Sequence, residues 1–391
     1  MNEQVLYWVW LSLRPRLGAK GLRTLLETFG APKALFEADA AALQRAGIAP
    51  GLQDALLDKN LTSARAILRD CDRLGVRILT LEEETYPAAM KHTPDAPAVL
   101  YCRGELPVSG EQPWIGLVGA RQADRRGLDL ARRFGAEISA CGGLVITGMA
   151  KGIDAAAAAG ALEQGCPVVG VLGGGVDVVY PRENAELFAR VAARGCLLSE
   201  YPPGTAPNAR HFPARNRIIS ALSDGVVVIQ AAEGSGALIT ARWAADQGRD
   251  VFSVPGPPGE ALSRGCNQLL RAGARLAESG RDVMGEYVYR YPGAVKMQNA
   301  ECKTQSEGSE NKDQGSKSKD PESGARVCRP LPEDLTPIQR QIAEALLEGP
   351  MQLDALIDKT GLPAAQVLPQ LTVLQIKKIL SQEPGKIYKL R

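Results

Sequence analysis

The chain has 391 residues, which at about 100–200 residues per domain means two or three folded units and excludes a lone small binding module. Lys+Arg 46 against Asp+Glu 44 leaves a formal charge of +2, so no chain-wide positive field draws in nucleic acid or anionic membrane and any such affinity must come from a local patch. Hydrophobic residues at 45% and charged residues at 23% suit an ordinary globular core, and the longest apolar stretches, such as 225–229 and 166–172, fall far short of the roughly 18 residues that span a bilayer.

The opening MNEQVLYWVWLSLRPR carries an acid and no base ahead of its short apolar run, the reverse of a secretory signal. Eight scattered cysteines contain no Cys-x-x-Cys pair and read as reduced thiols of a cytoplasmic protein. Two histidines, His92 and His211, leave no zinc site to expect.

Residues 1–75 read as a helical domain, rich in Leu and Ala at helical spacing and broken by turns at Leu17-Gly18-Ala19-Lys20-Gly21 and Phe29-Gly30-Ala31-Pro32. The first turn is similar to a helix-hairpin-helix, whose amides can hold a phosphate, and equally to a plain packing turn. From 76 to 292, β-rich runs alternate with helical stretches. The runs 114–118, 144–147, 167–172, 226–229 and 251–254 are almost wholly apolar, as strands buried on both faces must be, and predict a parallel α/β sheet. Residues 76–81 and 99–102 extend it at an edge. Residues 293–331 read as a flexible linker, since 303–324 carry no apolar side chain. Residues 332–391 give three helical segments and a closing strand at 386–390, a winged-helix pattern.

Ligands gather beyond the carboxyl ends of parallel strands, and the loops there are Gly-rich and basic. They are Gly119-Ala120-Arg121, Gly148-Met149-Ala150-Lys151-Gly152-Ile153-Asp154, Gly173-Gly174-Gly175-Val176-Asp177, Phe212-Pro213-Ala214-Arg215-Asn216-Arg217 and Glu233-Gly234-Ser235-Gly236-Ala237. Each suits a phosphate cradle. The dinucleotide fingerprint fails, because Val178 and Ile239 stand where its third glycine belongs, and no Gly-Lys-Ser or Gly-Lys-Thr makes a P-loop. No cofactor is expected. His211 is the sole candidate base for a serine nucleophile and reads as a loop histidine; Asp154 and Asp177 read as caps or loop-ordering groups. Arg121, Lys151, Arg182, Arg210, Arg215, Arg217 and Arg242, with Tyr180, Tyr201 and Phe212, are what sequence-tolerant single-strand binding requires.

These motifs in this order, from Tyr86 to Leu276, resemble the DNA-processing protein A (DprA/Smf) family. The resemblance implies an extended Rossmann-like, mostly parallel sheet between a small helical (helix-hairpin-helix or SAM-like) domain and a winged helix. It implies a cytoplasmic, non-catalytic protein that binds and protects incoming single-stranded DNA and loads RecA onto it in natural transformation. By position Arg121, Lys151, Arg215, Asn216 and Arg217 would contact phosphates, and Gly119, Gly148, Gly173, Gly174, Ser235 and Gly236 would shape the pocket. Asn267, Leu270 and Leu276 match a region used for dimer contact. Three positions depart from the family pattern: Ala158 in place of His, Gln230 in place of Glu, and Arg126 in place of a Tyr. The terminal module has no charge from 362 to 376 and seven basic against seven acidic residues over 332–391, which predicts a protein contact or autoregulation rather than DNA reading. Two rivals remain. A phosphoribohydrolase of the lysine-decarboxylase-like fold would need an acid within 234–245, where there is none. A receptor for a nucleotide second messenger would need only two of these cradles.

Overall fold

A computed structural model describes residues 3–15, 17–297, 335–376, 379–383 and 387–390. They fall into two units that divide after Lys303.

The first unit begins with six helices: α1 (Glu3–Ser12), α2 (Ala19–Phe29), α3 (Pro32–Glu37), α4 (Ala40–Arg45), α5 (Pro50–Leu57) and α6 (Thr62–Leu74). α1 is buried along Leu6–Leu11, with Trp10 set edge-on to Phe36 and its indole N–H donating to the Asp58 carbonyl at 3.0 Å. Gly75 ends α6 in the left-handed conformation that glycine adopts without a Cβ clash. Leu17, in the hairpin-like turn, packs against the core.

Next come β1 (Arg77–Thr80), α7 (Ala88–Lys91), β2 (Val99–Gly104), β3 (Trp114–Val118), α8 (Arg125–Ala140), β4 (Leu144–Thr147), α9 (Ile153–Glu163), β5 (Val168–Val171), α10 (Ala185–Arg194) and β6 (Cys196–Ser199). They are followed by α11 (His211–Leu222), β7 (Gly225–Val228), α12 (Gly236–Asp246), β8 (Asp250–Ser253), α13 (Arg264–Arg271), β9 (Arg275–Leu276) and α14 (Gly280–Gly285). Nine strands form one sheet in the order β1-β2-β6-β5-β4-β3-β7-β8-β9. The seven from β6 to β9 are parallel, and β1 and β2 join antiparallel at one edge.

Every residue of β3, β4, β5, β6 and β7 is buried, because helices cover both faces. Along β3, Ile115 and Leu117 face one core with Phe134, Ala157 and Ala158, while Trp114 and Val118 face another with Ile219 and Ala241. The first core is continuous with that of the helical segment: Trp10 and Leu43 belong to the same cluster as Ile115. α8 and α9 cross at backbone contact. A side chain at Gly135 would strike the Ala157 carbonyl and one at Gly160 the Arg132 carbonyl, which accounts for the Ala/Gly composition of α9.

The expected linker begins later than residue 293. Val295 is buried and the Lys296 amide donates to Cys141 O at 2.9 Å, so the chain stays on the sheet unit through Met297. The rest of the linker, 298–331, lies outside the described residues.

The second unit holds α15 (Pro337–Ala345), β10 (Met351–Gln352), α16 (Leu353–Thr360), α17 (Ala364–Ile376), β11 (Leu380–Glu383) and β12 (Ile387–Leu390). Thr336 caps α15 reciprocally with Gln339. Ile342, Leu356, Val367, Leu371 and Leu374 fill its core, and the strands form a sheet in the order β10-β12-β11. This is a winged helix.

Candidate nucleic-acid interface

The chain runs outward from β3 through β4, β5 and β6, then returns to lay β7 on the other side of β3. At such a reversal the two connecting loops part and leave a crevice beyond the carboxyl ends of the strands. A cleft of about 700 Å³ lies there. Gly119, Arg121, Arg215, Asn216, Ser235 and Gly236 line it, together with Tyr180 and Phe212.

Its floor is built around Arg215, which is 3% exposed. The guanidinium donates to the Gly148 carbonyl at 2.7 Å and to that of Val171. Burial pulls its pKa down to about 10, against the stabilising field of Asp154 and with a smaller push from Arg121. Asp154 is also buried, and desolvation raises its pKa against the attraction of Arg215 and the amides of Ala150 and Gly148. Asp154 therefore does not cap α9, whose N-cap is Gly152; it folds the 148–152 loop by accepting the Ala150 amide at 3.4 Å. Gly148 must be glycine because a Cβ there would strike both Arg215 and Asp154. Met149 follows with φ at 56°, strained for a side-chain-bearing residue and costing about 1–3 kcal/mol.

The rim is different. Arg121 is exposed, and its guanidinium lies 4.8 Å from the centre of the Phe212 ring. Phe212 in turn meets Tyr180 at 5.6 Å with the rings tilted 33°. Tyr180 is 48% exposed. A cation and two rings are thus layered at the mouth. Gly173 lets Phe212 seat against the backbone, and Gly174 gives room to the 205–207 segment.

On the far wall α12 presents its N-terminus. A side chain at Gly236 would meet nothing within 4 Å, and the N-cap Ser235 makes no side-chain cap bond; the Leu238 amide turns back to the Ser235 carbonyl at 3.1 Å, which leaves the Gly236 and Ala237 amides to face an anion. Asn216 donates to the Gly236 carbonyl at 3.2 Å. Ser235 Oγ and Arg215 Nε are buried without hydrogen-bond partners, and each unpaired group costs about 1–3 kcal/mol.

Two expected phosphate contacts lie elsewhere. Arg217 pairs with Glu200 at 2.6 Å and Asp95 at 3.6 Å, a tie from α11 to the loop after β6 and the segment before β2, and it is not among the residues that line the cleft. Lys151 is exposed and pairs with Glu183 at 3.0 Å. Arg242 faces a separate groove between α12 and α13. His211 sets Nδ1 3.1 Å from Gly173 O and stacks on Tyr201 at 4.0 Å. Asp177 orders its loop by accepting the Gly204 amide. Gln230, at the departure from Glu, donates to Asp124 at 2.9 Å and so steadies the start of α8; Ala158 is core.

Motif reading passed over Ile239, Leu262 and Pro207, which belong to the apolar part of the lining. Ile239 could have been found from its place three residues after Gly236, on the same face of α12.

Of the expected dimer residues, Leu276 lies on the edge strand β9 and is 56% exposed, and Leu270 is half-buried on α13. Asn267 is occupied within the fold, bonding the Gly256 amide and carbonyl at 3.3 and 3.0 Å. No helix among the described residues is long and apolar enough to cross a membrane, and no cluster of possible metal ligands occurs among them.

Comparison with known proteins agrees with this geometry. Residues 77–288 match the family described as DNA recombination-mediator protein A, and residues 329–386 match the DprA winged helix domain. "Protein Smf" of Synechocystis is 33% identical over the full length of both chains. The crystal structure of DNA processing protein A from Streptococcus pneumoniae superposes with a TM-score of 0.64 at 30% identity, covering 72% of this chain and 97% of that one. A Helicobacter pylori DprA structure, described by its single-stranded DNA binding mode, gives 0.50 at 27% identity over 55% of this chain and 97% of that one. Matched along its sheet unit and its winged helix alike, this chain belongs to the DNA recombination-mediator protein A (DprA/Smf) family.

Proposed function

We propose that this protein binds single-stranded DNA in the cleft at the β3/β7 reversal and serves recombination, protecting incoming DNA and loading RecA onto it during natural transformation. The observation that carries this reading is the Arg121–Phe212–Tyr180 layer over a cleft with an open helix N-terminus. Rings and a guanidinium plane stack bases of any sequence, while amides and Arg121 hold phosphates. A duplex keeps its bases stacked inside and cannot offer them to this mouth. The single-strand binding named for the H. pylori relative supports the same reading.

The cleft suits binding better than catalysis. The one acid in its lining is Asp154, whose oxygens already serve the 148–152 loop. We place the protein in the cytoplasm as a homodimer joined through the Rossmann-like domain at α13 and β9, where exposed Leu276 is otherwise a cost. Sedimentation of Leu270→Arg tests this: a monomer is expected, and an unchanged dimer removes that face. We further divide the protein into a helical domain at 1–75, a DNA-binding domain from 76 that extends through Met297, a tether and a winged helix at 332–391.

The function is tested by competing a labelled single strand against unlabelled single strand, duplex and nucleoside monophosphates. Displacement by single strand alone is expected. Displacement by a mononucleotide at equal phosphate concentration would favour a nucleotide-binding protein or phosphoribohydrolase instead.

A further inference from the structure

Beyond the cleft, α8 carries an open groove of about 490 Å³ lined by Arg125, Arg126, Asp129, Leu130 and Arg133. Arg126, Leu130 and Arg133 follow helical spacing and share one face. The groove holds three cations against one acid, and two of the cations stand where helix stability opposes them. Arg125 and Arg126 open α8, whose first turn has no acid, and the positive end of the helix dipole disfavours a cation there by about 0.3–1 kcal/mol.

Nor are these side chains tied down by the fold. Arg125 is 96% exposed in its side chain and meets Asp129 only at 4.0 Å. Arg126 has no ion pair among the described residues; Glu260, which shares a narrow cleft with it, accepts instead from the Ser263 hydroxyl at 3.3 Å. Arg133 is the anchored member, paired with Glu137 at 3.6 Å and donating to Glu278 O at 2.8 Å. The groove also lies close along the chain to the cleft wall. Arg121 and Gln122 line the cleft, Asp124 caps α8 by accepting the Gly127 amide at 2.7 Å, and only three residues, at most about 15 Å of backbone, separate Arg121 from Arg125.

We propose that a single strand seated in the cleft continues along this face of α8, its next phosphates running over Arg125, Arg126 and Arg133. The extension rests on the single-strand reading above. It assigns two cationic side chains, unfavourable for their helix, to a polyanion that carries a charge on every residue.

The test compares labelled oligothymidines of about 5 and about 20 nucleotides, one filling the cleft and one overrunning it. For Arg125→Ala/Arg126→Ala, affinity for the long strand is expected to fall about tenfold, with a salt slope shallower by about 1.4 because two fewer phosphates are neutralised. Affinity for the short strand stays unchanged, and the paired Lys variant restores the long-strand slope. Melting at or above the wild-type temperature shows that the fold is intact. Unchanged binding at both lengths, while Arg121→Ala weakens both, removes the extension and leaves the cleft standing. An equal loss at both lengths also overturns it, by placing these arginines inside the cleft. If the wild type binds neither length, the single-strand reading and its extension fall together.

Discussion

The floor and the rim of the cleft use the same residue type for opposite ends. Arg215 is sealed beneath the surface, committed to the Gly148 and Val171 carbonyls and to the field of Asp154, whereas Arg121 lies exposed across an aromatic ring. A buried guanidinium is worth what its removal would strand, and an exposed one is worth what it can still bind. The floor is therefore architecture that sets the 148–152 loop, and the rim is where the proposed strand would be felt.

The sharpest way to break this contrast is Arg215→Ala. It leaves Asp154 uncompensated and two carbonyls without their donor, so unfolding by denaturant should show a loss of about 3–5 kcal/mol. Wild-type stability with a loss of DNA affinity alone would make Arg215 a rim residue. Next in size is Phe212→Ala, which removes a stacking surface worth about 1–3 kcal/mol per base, roughly 5- to 150-fold in affinity, with little change in melting temperature. Because Arg121 rests on that ring, Arg121→Ala and Phe212→Ala should be less than additive in a double-mutant cycle; full additivity would mean that the layer does not act as a unit. Lys151→Ala should matter less still. Its charge is already shared with exposed Glu183, and a change of no more than about threefold in affinity is expected at moderate salt. The smallest effect is expected from deleting residues 332–391, since α17 carries no charged side chain and phosphate neutralisation there is slight; a tenfold loss at fixed salt would make the winged helix a DNA-binding element.

A similar contrast divides the elements that are legible in the amino-acid sequence from those that are not. Strands β3, β4, β5 and β7 stand out as apolar runs because a parallel strand covered on both faces has few polar positions to interrupt it. β6 and β9 do not: one has only two leucines between a cysteine and a serine, and the other is two residues long, defined by pairing with β8 and not by composition. In the winged helix the three helices carry their own periodicity, while polar Leu380–Glu383 becomes a strand only by pairing with β12.

At the site, the Gly-rich loops and their cations announce the cleft, but not which cation serves which end. Arg215 and Arg217 sit two positions apart on α11, and about 100° per residue turns them to nearly opposite sides. One reaches the floor and the other reaches Asp95 and Glu200, acids contributed from before β2 and after β6. Only the assembled sheet brings those partners together.

The most direct test of strand binding at this rim is the salt dependence of single-strand affinity, measured by fluorescence anisotropy for the wild type and Arg121→Ala side by side. A linear fall of log affinity with log salt is expected for the wild type. For Arg121→Ala, weaker binding is expected with a slope shallower by about 0.7, since one phosphate fewer is neutralised. Equal affinity and equal slope for the two proteins would contradict it, because the exposed arginine at the mouth of the cleft would then touch no strand.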